Sequence, residues 1–494
     1  MSKDLNKQKI LLNPNFDKTL DRFTLFAIMW VLAVFFHMIH RSDIVSGIVP
    51  VLTVLAGVYV LLDPSKDIRL ILFSALHVGV YLIHAPNTSN HAFFAFCVDM
   101  TILLVYGFNY LKSNPDRKHF FWKLNPIIKW FTIILYFFAV FHKLNSNYLD
   151  PSSCGGSILI DRLLNNKAAV SILGVISADT IQFLKYFNIY SSLLLEMLIP
   201  ILLLHRKFAW LGCFLGIVLH ATLGFVYFWH FTPLLYALYV LFLPDVFYTK
   251  IFGLYRNSQM LRKGIKYSLL SLFVIIPILF VSSFYFPIIE NELGNFSRNS
   301  GRGWALGINI RTFIGWLPFL VYTSIFTYFV VLFARGSQNK FIYKLPLAYY
   351  LFPVTIILNG FSPYLGFKTH QSFSMFSGVL THGTTNNHLF MPTINILNTQ
   401  EDVVTPFPEN HTNYDQELNW KNDEKMVYYE LQKRVTELHD KGISGINLHY
   451  WRNGNEVYIE NAETNEELII PLNWVDKKFR IYREIPTNPY GCYY

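Results

Sequence analysis

The sequence predicts an all-α polytopic membrane bundle of about eleven transmembrane helices, followed by a small C-terminal α+β domain on the non-cytoplasmic side. Three observations support this fold class. Hydrophobic residues make up 53% of the 494 residues and charged residues only 15%, well below the roughly 25% of soluble domains. Apolar segments long enough to cross a bilayer recur between residues 23 and 360, whereas the chain after 360 is polar and net acidic.

Each predicted span is a mainly apolar segment of roughly 20 residues, the length that crosses a bilayer as a helix. Residues 1–22 are predicted to form a cytoplasmic segment and residues 23–360 the transmembrane domain. The spans are predicted at 23–40, 44–62, 69–85, 92–111, 126–141, 188–204, 209–228, 231–248, 266–287, 311–334 and 345–360.

The basic residues between the spans predict the orientation. With a cytoplasmic N-terminus, 22 of the 30 Lys and Arg residues before position 360 fall on the cytoplasmic side. This bias is typical of inserted membrane proteins and favours a multi-pass protein of the plasma or inner membrane. The same pattern argues against nucleic acid as the partner of the basic charge. The lipid bilayer is the predicted partner, and everything after 360 is predicted to lie outside.

The C-terminal part is predicted as an outer loop segment, 361–410, and a small α+β domain, 411–494. Residues 423–440 have apolar positions at helical spacing. Two extended segments, 445–451 and 456–460, flank an Asn-Gly pair that is typical of a β-hairpin. A third extended segment is expected at 467–471. Cys154 and Cys492 both fall on the outer side, where a disulfide between them is one option.

Lys143 ends the apolar segment of YFFAVFHKLNSNYLDP, residues 136–151. One interpretation is a lysine whose ammonium reaches the interface and anchors the helix end. The other is a lysine at a partly dehydrated helix end, where loss of water favours the neutral amine and makes it a general base.

A second polar position falls on the same predicted side. Asn90 and His91 begin the fourth span in NTSNHAFFAF. A lone histidine at a span end is usually an interfacial residue. Ionisable groups are costly near a bilayer, however, and two of them at one depth indicate a functional site. Lys143 and His91 share a site if their helices pack together.

The third candidate stretch, residues 362–392, is rich in Gly, Ser, Thr, Asn and His with interleaved aromatics. It is either a surface or re-entrant loop or part of a binding site. In the second case Met375 gives a soft apolar wall for a flat ring, and Asn387 and His388 supply hydrogen-bonding groups.

Two further residues lie inside predicted spans. Glu196 and His220 are either helix-packing residues or pocket-wall residues, and a buried glutamate can also relay protons. No Cys/His cluster has the spacing of metal ligands, so no metal is expected.

Several segments in chain order resemble a known family. FHKLN (141–145), NHAFFAF (90–96), SPYLGFKT (362–369), SFSMF (372–376), NNHLFMP (386–392) and NTQEDVV (398–404) resemble segments of the HTTM (horizontally transferred transmembrane) proteins and of the related vitamin K-dependent gamma-carboxylases. The resemblance extends over most of the chain, from about residue 90 to residue 404.

The resemblance implies an integral membrane enzyme that oxygenates a reduced naphthoquinone, vitamin K or menaquinol, to its epoxide. O2 is a co-substrate, and CO2 is the second one where a glutamate in a peptide or protein is carboxylated. Lys143 would be the base that deprotonates the quinone. His91 and Asn90 would steady its oxygens, and Met375 would line the ring pocket.

The chain also departs from the animal carboxylases. Only about 135 residues follow the last predicted span, where those enzymes carry a much longer lumenal part. The paired lysines of the animal enzymes are His142-Lys143 here. The alternative is therefore a non-catalytic HTTM membrane protein that acts as a binding or immunity-type partner.

Overall fold

A computed structural model describes residues 14–41, 43–111, 117–164, 176–285, 310–336, 346–383, 385–407, 418, 420–421 and 423–487. Helices make up 68% of the structure, as expected for a helical bundle. Cys492, the partner considered for Cys154 in a disulfide, lies outside the described residues, as do most residues of the N-terminal segment.

Fourteen helices of the described chain precede the C-terminal sheet. They are α1 (Pro14–Arg41), α2 (Ile48–Leu62), α3 (Asp67–His84), α4 (Asn90–Tyr110), α5 (Arg117–Lys143), α6 (Ser146–Leu149), α7 (Cys154–Leu164), α8 (Ala178–Leu204), α9 (Ala209–Leu223), α10 (Thr232–Tyr239), α11 (Asp245–Asn257), α12 (Gln259–Tyr285), α13 (Ile310–Phe333) and α14 (Leu351–Leu365).

Five helices in the described part of the chain are long and apolar enough to cross a membrane: the segment Arg22–Arg41 of α1, then α3, α4, Phe120–Lys143 of α5, and α8. The segment predicted as one span at 231–248 is broken instead. Thr232–Phe242 and Asp245–Asn257 meet at a bend of 111°, because Pro244 cannot continue the first helix. Counted as one span, this pair makes six. The eleven predicted crossings are thus not confirmed.

The interior of the bundle is apolar and strongly aromatic. Two-thirds of the apolar window of α1, and the same share of α5, is buried, whereas only 22% of the α8 window is. Phe26, Trp30 and Phe138 are among the side chains with no exposure. Helices α1 and α5 are therefore central, and α8 lies at the periphery with α5 on its inner side.

The C-terminal part forms a five-stranded antiparallel sheet of order β4-β3-β1-β2-β5. Its strands are β1 (Val403–Pro406), β2 (Glu424–Val427), β3 (Leu448–Arg452), β4 (Asn455–Ile459) and β5 (Ile485–Pro486). Helix α15 (Tyr428–Asp440) covers one face and a short helix, α16 (Trp474–Phe479), precedes β5. A separate core joins sheet and α15 through Leu431, Val435 and Tyr450.

The sequence predictions for this domain hold in part. The Asn-Gly hairpin is confirmed, because β3 and β4 pair across Asn453 and Gly454. The predicted helix starts later than expected, since residues 424–427 pair with β1 and β5 and form a strand. Residues 467–471 form no strand. Strand β1 comes from the segment predicted as an outer loop, so the sheet begins at residue 403.

The sheet domain rests on the end of the bundle where α3 ends and α4 begins. Lys478 Nζ donates to the carbonyl of Ala85 at 2.7 Å. The amide of Thr369 donates to the carbonyl of Ile481 at 3.0 Å, and Arg483 Nη2 donates to Ser374 Oγ at 2.8 Å. The loop after α14 is therefore held between the bundle and the C-terminal domain.

The hairpin turn gives a first testable prediction. Gly454 has a φ of +80°, a conformation that costs a residue with a side chain about 1–2 kcal/mol. Replacing Gly454 with valine should therefore increase amide exchange across residues 448–459, measured by hydrogen exchange and mass spectrometry. Gly253→Ala is the control, because its added Cβ meets no atom within 4 Å and α11 keeps its conformation. Equal exchange in both variants would contradict the assigned turn.

Candidate functional site

Lys143 and Glu196 form a buried ion pair between α5 and α8. Lys143 Nζ lies 2.6 Å from Glu196 Oε1 and 2.5 Å from Oε2. Each side chain is 9% exposed. The two residues are 53 positions apart, and the α5–α8 packing brings them together. Each charge compensates the other, which a buried ionised group requires. Glu196, predicted only as a pocket-wall or packing residue, is thus the direct partner of Lys143.

Tyr148 lies against the same pair. The Lys143 ammonium is 5.4 Å from the centre of the Tyr148 ring, within the range of a cation–π interaction. The Tyr148 hydroxyl is hydrogen-bonded to Ser192 Oγ on α8 at 2.7 Å. Tyr148 and Ser192 therefore close the site on the side of the loop after α5. Neither residue was predicted to have a role, and their only signal in the sequence is their closeness to Lys143 and Glu196 along the chain.

A hydrogen-bonded chain of Tyr239, Tyr136 and His220 lies on the other side of Lys143. Tyr136 is two turns before Lys143 and so on the same face of α5. Its hydroxyl is hydrogen-bonded to His220 Nε2 at 2.8 Å and to the Tyr239 hydroxyl. His220 therefore belongs to the Lys143 neighbourhood, and two tyrosines are added to it.

His91 lies in a group of four imidazoles, called here the histidine cluster: His37, His40, His91 and His230. The His91 ring centre is 5.0 Å from those of His37 and of His230, and His40 stacks on His230 at 3.7 Å. No group of three His, Cys, Asp or Glu side chains within the described residues has an arrangement that could hold a metal ion. The cluster brings together α1, the start of α4 and the segment between α9 and α10.

The Lys143 and His91 neighbourhoods meet at one aromatic side chain. The ring centre of Phe231 is 5.5 Å from that of His91 and 5.6 Å from that of His220. Helices α4 and α5 pack against each other, as a shared site requires. Phe231 is therefore an apolar side chain that the two neighbourhoods share.

The loop 366–392 joins both neighbourhoods through its backbone. The Phe373 amide donates to Asn90 Oδ1 at 2.8 Å. His388 Nε2 donates to the Phe141 carbonyl at 2.9 Å, and His388 Nδ1 accepts from the Met391 amide at 3.0 Å. Asn387 accepts from the Leu380 amide at 2.7 Å and donates to the Gly378 carbonyl.

These contacts change what the loop residues can do. Asn90, Asn387 and His388 were predicted to bind a cofactor, and the structure gives each of them a partner within the protein. A loop with positive φ at Gln371, Phe373 and Phe376 forms few regular backbone hydrogen bonds, so side chains supply them. The three residues position the loop, and direct contact with a ligand stays a prediction. Met375 is partly buried and packs against the main core.

Asn145 is the central link between this loop and α5. Its Nδ2 donates to the carbonyls of His142 and Ser377 at 2.6 and 2.7 Å, and its Oδ1 accepts from the Tyr148 amide at 2.9 Å. The side chain is fully buried. Asn145 belongs to the FHKLN segment but was given no role, because its distant partner is 232 positions away.

Replacing Asn145 with alanine should destabilise the docked loop by about 1–3 kcal/mol, since buried polar groups then lose their partners. The expected result is faster proteolysis within residues 366–392 of the purified protein in nanodiscs. Asn147→Ala is the matched control, because the Asn147 side chain forms no hydrogen bond within the described part of the chain. Indistinguishable proteolysis of the two variants would contradict the assigned role of Asn145.

Lys368 and His382 of the loop are buried, and His370 is half-buried. Burial lowers the pKa of Lys368 to about 8, and its ammonium lies 4.2 Å from the centre of the Phe93 ring. Burial, and then the charge of Arg483, lower the pKa of His370 to about 4 and that of His382 to about 3. Both imidazoles are therefore neutral at neutral pH. Lys368 lies in the SPYLGFKT segment and was not predicted to have a role.

No family model, no curated protein and no solved structure matches this chain. A function can therefore be argued only from the geometry above and from the resemblance of the short segments.

Proposed function

We propose that the helical bundle is embedded in a membrane through about eleven crossings, with a cytoplasmic N-terminus and the sheet domain outside. Support comes from the five long apolar helices and from large apolar side chains exposed along the peripheral α8, namely Phe187, Leu194, Met197 and Ile201. Exposed apolar side chains of this size in a row are typical of a surface that contacts lipid. The bias of the basic residues supports the orientation.

We further propose that the chain is a membrane enzyme of the vitamin K-dependent gamma-carboxylase type. Its reaction would be oxygenation of a reduced naphthoquinone to the epoxide, with Lys143 as the proton acceptor. Carboxylation of a peptide glutamate with CO2 is the reaction that the resembling enzymes couple to it. The observation that carries the proposal is the buried Lys143–Glu196 pair beside Tyr136, His220 and an aromatic wall.

The pair offers a way to obtain a neutral amine in a dehydrated site. The ammonium proton lies within hydrogen-bond distance of both carboxylate oxygens, so it can pass to Glu196. Both groups are then neutral, and no charge is left unpaired in the interior. The free amine of Lys143 can accept a proton from a phenolic hydroxyl, as general-base catalysis requires.

The side chains near the pair are largely aromatic, and an apolar ring would pack against such side chains. Phe231 lies between His220 and His91. The ring centre of Phe376, in the loop, lies 4.7 Å from that of Phe228. Polar groups at the edge are His91 and the hydroxyl of Tyr136. Bound reduced naphthoquinone would supply the electrons that reduce O2. That reduction would in turn generate the strong base needed to deprotonate glutamate.

The wild-type reaction tests this proposal. Purified protein in nanodiscs is given reduced menaquinone or vitamin K with oxygen, and epoxide is followed by chromatography against empty nanodiscs. We expect epoxide. A glutamate peptide with labelled bicarbonate is added in parallel, and label in the peptide separates a carboxylase from an oxygenase alone. Absence of epoxide from folded protein that binds the quinone would contradict the proposal.

A non-catalytic binding or immunity-type partner is the second candidate. The ion pair favours this candidate, because Lys143 has a direct carboxylate partner, as a lysine with a purely structural role would have. In that case the folded protein binds no quinone and forms no epoxide, and the Lys143–Glu196 pair matters for stability alone.

A further inference from the structure

A second group of ionisable residues lies in the bundle outside the Lys143 site. Asp99 on α4 is fully buried and His77 on α3 is 5% exposed. Asp99 Oδ2 lies 2.5 Å from His77 Nδ1, and Asp99 Oδ1 accepts from Trp30 Nε1 on α1 at 2.9 Å. The carboxylate thus ties three helices together and fixes the orientation of the His77 ring.

His77 also lines a cleft that opens at the end of the bundle proposed as the outer end. The cleft lies between α1, α3 and the start of α4, and its interior volume of about 20 Å³ is enough for a water molecule. His77 is two turns of α3 from His84 near the opening, a distance of about 10 Å along the helix. The lining residues that bear on the proposal are His37, Met38, Arg41, Asp43, His84 and Ala92.

Several residues that line this cleft carry ionisable groups, which are unusual in the interior of an apolar bundle. Arg41 pairs with Asp43 at 2.8 Å, and His84 lies 3.4 Å from the same carboxylate. One turn beyond His77, Ser74 Oγ is buried without a hydrogen-bond partner in the described structure. Buried polar groups of this kind are commonly satisfied by ordered water.

We propose that His77, oriented by Asp99, is a proton-exchange site that communicates with the outer solution through water in this cleft. His77 would take a proton from hydronium in the cleft water at Nε2, which releases neutral water, and its Nδ1 proton would then be shared with Asp99 Oδ2. The pair then carries no unpaired charge, which explains why Asp99 tolerates full burial. The ionisable and charged groups that face His77 from the surrounding elements are His37 and Arg41 of α1, Asp43, His84 of α3 and Asp99 of α4.

One member of the histidine cluster also lines the cleft. His37 lines it and lies 5.0 Å from His91. The exchange site concerns the bundle itself and does not depend on quinone chemistry. It would provide the buried histidines with a route for protons to the solution, whichever reaction the protein performs.

Hydroxyl-radical footprinting of the protein in nanodiscs tests whether water enters the cleft. Radicals generated from bound water oxidise the methionines beside it. Met38 lines the cleft and is 1% exposed, whereas Met29, also on α1, is 5% exposed and does not line it. We expect several-fold more oxidation of Met38 than of Met29, and loss of that excess in Ala92→Leu, which narrows the cleft. Equal protection of both methionines would contradict a water-filled cleft.

Infrared difference spectra between H2O and D2O test the proton exchange. We expect a carboxyl signal that shifts in D2O and is missing in Asp99→Asn, a variant whose amide oxygen can still accept from Trp30 and so keeps the helices joined. The same signal should change in His77→Gln. Identical spectra for wild type and Asp99→Asn would show that the pair is only structural and would overturn the proposal. Neither measurement uses a quinone, so failure of the enzymatic proposal leaves both results interpretable.

Discussion

Replacing Lys143 with methionine should lower the free energy of unfolding of the bundle by about 3–5 kcal/mol, because Glu196 is left as a buried carboxylate without a cation. Both side chains are 9% exposed, so water cannot take over the role of the lost ammonium. The measurement is thermal unfolding in detergent at neutral pH. Methionine keeps most of the side-chain volume. The loss of stability therefore results from the missing charge and not from a cavity.

A double-variant cycle separates the pair from the site around it. Combining Lys143→Met with Glu196→Leu removes both charges and should recover most of the lost stability. Lys123→Met is the matched control, since Lys123 is a buried lysine of the same helix that faces the Tyr349 ring and contacts Asn109. It should cost less than Lys143→Met. A double variant no more stable than Lys143→Met alone would contradict direct coupling between Lys143 and Glu196.

The sequence predicted the elements better than their contacts. Long apolar segments predict helices because their hydrophobic pattern is local in the chain. Asn453-Gly454 predicts a hairpin because both residues adopt positive φ. Strands β1 and β2 were not predicted as strands. They have four residues each, and their extended conformation comes from pairing with distant segments, which local propensity does not contain.

For the candidate site, too, the residues were predicted better than their contacts. Lys143 and His91 were predicted to share a site if their helices pack together, and α4 and α5 do pack. Residues 362–392 were predicted as either a surface or re-entrant loop or part of a binding site, and Asn145 links this loop to α5. The partner of Lys143 could not be predicted, because Glu196 is one of several polar residues inside spans and the packing of α5 on α8 is not encoded locally. The roles of Asn387 and His388 were also not predictable, since their partners depend on the shape of a loop without regular structure.

The proposed base can be removed without removing the ion pair. Lys143→Arg retains a cation that can bind both oxygens of Glu196, so the bundle should stay folded. Arginine is not deprotonated in proteins, so it cannot accept a proton from a quinol. Loss of a general base reduces a rate by about 10²–10⁴-fold, and epoxide formation should fall by that amount while quinone binding is retained.

Epoxide formation by Lys143→Arg, compared with wild type and with Lys123→Arg in the same nanodiscs, is the most direct measurement of the central claim. Lys123 lies elsewhere on α5, facing Tyr349, so Lys123→Arg should form epoxide at the wild-type rate. The proposal predicts that Lys143→Arg binds the quinone, unfolds at the wild-type temperature and forms almost no epoxide. Epoxide at a rate close to that of wild type from Lys143→Arg would show that Lys143 is not the proton acceptor.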